Sequence, residues 1–136
     1  MIATVCVDDR GGMAFHGRRV SRDRLVRADL LSMAGERRLW MSAESRKQFT
    51  EPGGNLAVSE DFLARAGRGE FCFVEDRPLC PWREKLEALV LYRWNRTYPF
   101  DLRLDLDPAA EGWTLRERRE FPGFSHQLIT KEVYVP

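Results

Sequence analysis

The residues of this chain best suited to chemistry are the arginines near its start. Between positions 10 and 27 lie Arg10, Arg18, Arg19, Arg22, Arg24 and Arg27, with Asp23 as the single acid. Arg22 and Arg24 fall in the opening turn of a predicted helix, where free backbone N–H groups already favour anions. A guanidinium fork matches the two oxygens of a phosphate or a carboxylate. Arginine at that end of a helix opposes the dipole, a small cost that asks for a reason. Arg18, Arg19 and Arg22 are therefore candidate clamps for a small anionic ligand. The competing reading is a solvated or internally paired cluster, because 19 of the 22 basic residues are arginine.

Asp23 is the second candidate. A carboxyl held in a pocket with a raised pKa can hand a proton to substrate. Flanked by Arg22 and Arg24, an ionised carboxylate with a ligand-orienting or structural role is favoured over a general acid. Residues 92–98 interleave aromatics with arginines, a composition that can stack bases and hold phosphates. The same alternation describes a half-buried strand with Tyr92 and Trp94 pointing inward, where either ring could floor a ligand site. His16 lies in the basic stretch and His126 follows Ser125. Two histidines, with no Gly-x-Ser-x-Gly elbow, make neither a zinc site nor a recognisable catalytic triad, and no metal site is expected. Cys80, in a proline-flanked turn, could pair with a histidine, whereas Cys6 and Cys72 fall in apolar strands and read as inert core. Glu75 and Asp76 could gather with Asp8 and Asp9 around a cation, but nothing in the spacing demands it.

These side chains need a scaffold, and length bounds it. The 136 residues suit one domain over 1–136, and 43% hydrophobic with 32% charged residues suits a packed core. A net charge of +1 excludes a generally polycationic nucleic-acid binder. No apolar run approaches the roughly 18 residues of a membrane span, and residues 1–7 read as a strand, not a signal peptide. Three cysteines without a Cys-x-x-Cys argue against a disulfide framework and favour a reducing cytoplasm.

The pattern along the chain predicts a strand over 1–7, then a basic loop that carries Arg18 and Arg19. Ser21 is a plausible N-cap for a helix with Val26, Leu30 and Met33 on its buried face, closed by Gly35. A strand over 38–41, a helix from Ser42 to Phe49 and a strand over 55–58 follow. Ser59 is expected to cap a helix that ends at Gly67. Strands are predicted over 70–74 and within 86–94, separated by an irregular or short helical turn. Residues 101–106 alternate strictly, leucines inward and charges outward, and two closing strands cover 113–121 and 127–135. This order implies an α/β domain of three layers, with a mixed, mostly parallel sheet and antiparallel C-terminal strands.

The same order, with several local strings, resembles dihydrofolate reductase. The opening strand and its Gly-rich loop are similar to that family's first strand and mobile loop, and Ser21-Arg22-Asp23 falls where the family carries its proton-donating carboxylate. Leu39-Trp40-Met41 with Ser45 and Phe49 is similar to the elements that begin the family's cofactor site. Closest is the final third, from Lys85 through Tyr92, Asp105, Gly112-Trp113, Glu120-Phe121 and Ser125-His126 to Glu132-Val133-Tyr134. The departures fall on function. Arg18-Arg19-Val20 replaces the family's Leu-Pro-Trp wall, and Ser42-Ala43-Glu44-Ser45 lacks the arginine of its phosphate-holding Gly-Arg-x-Thr. Val74-Glu75-Asp76-Arg77 puts two acids where the family's Gly-Gly nest contacts nicotinamide and phosphates. The resemblance therefore implies the fold with a degenerate cofactor site, and NADPH is disfavoured.

Other strings resemble a family of small bacterial proteins: residues 12–23 around Arg18-Arg19, residues 92–101, and residues 125–134 from Ser125-His126 to Tyr134. A ribonuclease Z label sometimes attached to that family has no support here, because its His-x-His-x-Asp-His metal motif is absent. The reading that results is a small anionic ligand, nucleotide or pterin-like, bound by Arg18, Arg19, Arg22 and Asp23 over Tyr92 or Trp94, with no membrane partner. Two alternatives stand beside it, an NADPH-dependent reductase with an altered cofactor site and a nucleic-acid-binding or RNA-processing protein. The pattern sets no oligomeric state.

Overall fold

Along the first strand Ala3, Val5 and Val7 alternate with Thr4 and Cys6, and both sets are buried. A strand without a wet face needs cover on each side, as the inner strand of a parallel sheet has. In the computed structural model, which describes residues 1–136, this strand is the centre of such a sheet. It is β1 (Ile2–Val7), paired in parallel with β6 (Phe71–Val74) on one side and β7 (Ala88–Arg93) on the other. Beyond β6 lie β4 (Arg38–Met41) and β5 (Asn55–Val58), both parallel. Beyond β7 come the antiparallel β10 (Ile129–Val135) and, at the edge, β9 (Thr114–Phe121). The mixed α/β domain with antiparallel C-terminal strands is thus observed in the expected order.

Two apolar cores flank the sheet. On one face α1 (Arg24–Ala34) sets Val26, Leu30 and Ala34 against Phe73, Val90 and Tyr92. On the other, Phe62 and Leu63 of the short α3 (Phe62–Arg65) join Leu79 and Leu86 over Val5, Val74 and Leu91. Each such fully buried side chain contributes about 1.5–3 kcal/mol, so the parallel strands are the stable part of the molecule. Strand β9 is the opposite: from Thr114 to Glu120 every residue is exposed.

Helix ends follow their caps. Gly35 closes α1 as expected, with a positive φ of 58° and its N–H on the Leu31 carbonyl. Ser42 caps α2 (Ala43–Arg46), accepting from the Ser45 N–H, although the helix stops after four residues instead of reaching Phe49. At the start of α1 the expectation is corrected by two positions. Asp23, not Ser21, is the cap, accepting from the Leu25 N–H at 2.8 Å. A carboxylate is the better partner for the positive end of the dipole, which leaves Ser21 outside the helix with its hydroxyl free for other work. Asp61, not Ser59, precedes α3, and the Ser59 hydroxyl donates to the Asp61 carboxylate instead.

The basic loop is also corrected. Residues 12–19 form a hairpin of β2 (Gly12–Phe15) and β3 (Arg18–Arg19), turning at His16 and Gly17, both with positive φ. The hairpin's third partner is β8 (Leu102–Arg103), so only two of the six residues in the alternating run 101–106 are hydrogen-bonded strand. Asp105 leaves the pattern to accept from the N–H groups of Leu79 and Cys80. Gly12 lets the hairpin lie on Phe100: a Cβ there would stand 2.5 Å from the ring. Gly12→Ala is expected to cost about 1–3 kcal/mol of overpacking, read as a lower urea midpoint at unchanged slope.

Candidate functional site

The site is built around the cap of α1. Besides Leu25, the Asp23 carboxylate accepts from the N–H groups of Phe124 at 3.0 Å and Ser125 at 2.9 Å, on the loop joining β9 to β10. That loop reaches Asp23 because residue 123 is glycine. A Cβ there would stand 2.7 Å from Asp23 Oδ2 and 2.8 Å from the His126 carbonyl oxygen. Closed in this way, the loop delivers His126, which is 4% exposed, so that its Nδ1 lies 2.8 Å from Asp23 Oδ2.

A second loop meets it from the end of β7. Asn95 takes a positive φ of 56°, tolerated by its short amide side chain, and its Nδ2 donates to the Leu128 carbonyl and Thr130 Oγ1. Asp8 then accepts from the Tyr98 N–H while also tying the Arg10 and Gly12 N–H groups. These bonds bring the Tyr98 hydroxyl to 3.0 Å from His126 Nε2, and the Ser21 hydroxyl lies 2.9 Å from the same nitrogen. Trp94 stacks on the imidazole with ring centroids 4.5 Å apart. Its own indole Nε1 is buried with no hydrogen-bond partner.

The chemistry of this cluster follows from the carboxylate. Burial raises the Asp23 pKa, but the Phe124 N–H, the His126 ring and the Ser125 and Leu25 N–H groups together lower it far below the usual carboxylate range. An ionised carboxylate can only accept, so His126 Nδ1 carries a proton and donates it to Asp23. In the neutral ring Nε2 is then a lone-pair acceptor facing two hydroxyls, Ser21 and Tyr98. The order Asp23–His126–Ser21 is the connectivity of a general-base relay, recognised by geometry and not by sequence position. Two histidines and no elbow motif gave no sign of this hydrogen-bonded chain in the sequence. Asp23 itself orients the ring; a carboxyl held ionised is no proton donor.

Ser21 opens onto a recess of about 480 Å³ lined by Arg18, Arg19, Ser21, Arg22 and Glu44, with no apolar wall. Arg19 spans its floor: Nε donates to both oxygens of the buried Glu75 at 3.1 Å, and Nη2 to the Glu44 carbonyl. Burial pushes the Glu75 carboxyl up, and the Arg19 charge with the Ser45 and Gln48 hydrogen bonds offsets only part of that. Arg18 and Arg22, both exposed, have no carboxylate partner. Arg22 also borders a second recess of about 420 Å³, where Arg24 lies 4.3 Å above the Phe124 ring.

Of the residues singled out from sequence, Arg18, Arg19 and Arg22 line one recess; Asp23 is buried behind it, facing His126 instead of the opening, and Trp94, stacked on that ring, is buried too and floors no open site. Nor does Tyr92. It is fully buried on the α1 face, its hydroxyl donating to Asp29, and cannot floor an open site. With Trp94 also buried and Arg93 paired to Glu132, residues 92–98 present no base-stacking platform. Cys80 neighbours Arg83 and bonds to neither histidine. No group of three or more His, Cys, Asp or Glu side chains is placed to hold a metal ion. Ser21, Tyr98 and His126 escaped the sequence reading as one unit. The only local signal was Gly123 three residues before His126, the mark of a tightly packed loop.

The architecture is that of dihydrofolate reductase. Over 99% of its length the chain superposes on 95% of dihydrofolate reductase from Enterococcus faecalis complexed with NADP(H) and RAB-propyl, with a TM-score of 0.66 at 12% identity. No protein-family model matches the chain, and no curated protein does. The positions that the resemblance assigns to cofactor phosphate are engaged within the chain. Ser42 and Ser45 spend their hydroxyls on each other and on Glu75, which Arg19 holds from the other side. No helix is long and apolar enough to cross a membrane.

Two outcomes follow. The depressed Asp23 pKa means that its stabilisation is present above the ordinary carboxylate pKa of about 3.9 and is lost as pH falls toward its lower folded value. Asp23→Ala is expected to cost about 2–4 kcal/mol at neutral pH, combining a lost cap with two unpaired loop N–H groups, and to flatten the acid limb of stability against pH. Gly123→Ala is expected to push the loop off Asp23 and expose Trp94, read as a red shift in tryptophan emission.

Proposed function

We propose that the protein binds a small molecule bearing a phosphate or carboxylate, held in the recess beside Ser21. The observation that carries this reading is the pair of unpartnered guanidiniums, Arg18 and Arg22, bordering one open recess with the Ser21 hydroxyl. Several arginines elsewhere meet acids, Arg27 on Glu51, Arg77 on Asp76 and Glu60, and Arg93 on Glu132; what sets Arg18 and Arg22 apart is that they share one recess. The one carboxylate of the recess, Glu44, is already bonded to Lys47, so the neighbouring Arg18 and Arg22 charges still repel, and an anion relieves them. Arg19, fixed by Glu75 and the Glu44 carbonyl, positions the recess floor and keeps its second terminal nitrogen for the ligand.

The recess falls within the roughly 300–1,000 Å³ typical of small-molecule sites. Its lack of apolar lining favours a compact, highly polar ligand, such as a phosphorylated sugar or a mononucleotide, over a flat pterin ring. A nucleotide base could stack on Phe124, beside Arg24 in the adjoining recess. Reductase-like ligand binding by this fold is consistent with the reading.

Titration with AMP and with inorganic phosphate, followed by calorimetry, tests the reading. Arg18→Ala and Arg22→Ala are each expected to weaken binding by about 10- to 100-fold, the worth of one charge-assisted contact. Affinity is expected to fall with added salt. Unchanged affinity in both variants would refute an anion site here.

A further inference from the structure

Resting on that anion site, we propose that Ser21 is a nucleophile that takes an acyl group from small esters whose acyl part carries a carboxylate or phosphate. His126 is the base and Asp23 the residue that positions it.

The geometry meets each requirement of such a step. A general base must lie about 2.6–3.2 Å from the proton it removes, and His126 Nε2 is 2.9 Å from Ser21 Oγ. The base must present a lone pair, and the Nδ1–H bond to an ionised Asp23 fixes the tautomer that does so. The imidazolium formed on proton transfer needs stabilising, and it has the Asp23 carboxylate at one edge and the Trp94 π face above. The oxyanion of a tetrahedral intermediate needs a donor. The backbone N–H of Arg22, the residue after Ser21, donates to no group of the chain, and an N–H in that position serves nucleophile elbows. Ser21 itself lines the recess between Arg18 and Arg22, so an anionic arm held by those guanidiniums brings its carbonyl to the hydroxyl.

The step balances without further reagents. Ser21 Oγ bonds to the carbonyl carbon while its proton passes to His126 Nε2; the C–O bond to the leaving alcohol breaks and the alkoxide takes that proton. Water then attacks the acyl-serine, giving its proton to His126 Nε2. The carboxylic acid leaves and Ser21 recovers its proton. Tyr98 modulates the first transfer. Its hydroxyl competes for the same lone pair at 3.0 Å, so it lowers the fraction of time Ser21 is hydrogen-bonded to its base.

The test uses the full chain with mono-p-nitrophenyl succinate, and with p-nitrophenyl acetate as the ester lacking an anion. The expected result is a burst of p-nitrophenolate with one succinyl group per protein, mapped to Ser21 by mass spectrometry and abolished in Ser21→Ala. In Ser21→Ala the Tyr98 hydroxyl still meets His126 Nε2 and no apolar core residue changes, so that variant folds. His126→Ala is expected to slow acylation on the order of a hundred- to ten-thousandfold. Tyr98→Phe is expected to raise it about twofold, because two hydroxyls share one lone pair; a merely structural tyrosine would not produce a gain. Absence of a Ser21 adduct while phosphate still binds overturns the nucleophile and leaves the anion site standing. Acylation of Ser21 with equal preference for both esters, unmoved by Arg18→Ala and Arg22→Ala, overturns the anion site and the proposed substrate class together. Release from p-nitrophenyl phosphate but from neither ester overturns the acyl assignment.

Discussion

One carboxylate holds the functional end of this molecule together. Asp23 closes the first turn of α1, pins two backbone N–H groups of the β9–β10 loop and fixes the ring of His126, all with two oxygen atoms. Each bond satisfies a donor that burial would otherwise leave costly, and each lowers the energy of the ionised form. The carboxylate thereby joins the start of the chain to its far end, 103 residues away. The core on the α1 face also links Val26 and Leu30 to Ile129 under the sheet, but at the site itself it is this carboxylate that makes the connection.

Charge pairing explains why the arginine stretch reads ambiguously and resolves sharply. An arginine-rich chain with nearly balanced charge can neutralise some of its guanidiniums against acids distant in sequence. Arg19 meets Glu75, 56 residues on, and Arg27 meets Glu51. Other arginines stay unpaired at scattered surface positions, but Arg18 and Arg22 border one recess where α1 begins. The Arg19–Glu75 pair has a further effect. With Ser45 and Gln48 it fills the sheet's C-terminal edge beside β6, where the resemblance to dihydrofolate reductase places cofactor contacts.

Much of the architecture was legible because it is local. Strict burial of β1 and β7, the glycine stop of α1 and the serine cap of α2 each follow from a few adjacent residues. The hairpin of β2 and β3 was hidden because His16 supplies one of its two positive-φ positions, and histidine is an uncommon signal for that backbone. The site was half legible. Arg18, Arg19, Arg22 and Asp23 are neighbours in sequence and stood out by type; the partnership of Ser21 with His126 spans 105 positions and leaves no spacing to read. Tyr92 misled because an inward-pointing ring on a central strand looks the same whether it faces a ligand or a helix.

Strand β9 gives the site its mechanical character. It sits at the sheet edge with its residues from Thr114 to Glu120 exposed, paired as a strand to β10 alone and tied to α1 by Arg119 on Asp29, and carries Arg116, Glu117, Arg118, Arg119 and Glu120 in succession. Such a strand frays readily, since little apolar area opposes its release, and its charges discourage edge-to-edge association with another copy. Opening of β9 therefore need not unhinge His126. The loop between β9 and β10 is moored at its far side by Asp23 and Asn95, so amide exchange along β9 can run fast while the imidazole keeps its place. The outer strand behaves as a loose selvedge, and the fabric is fastened one stitch further in.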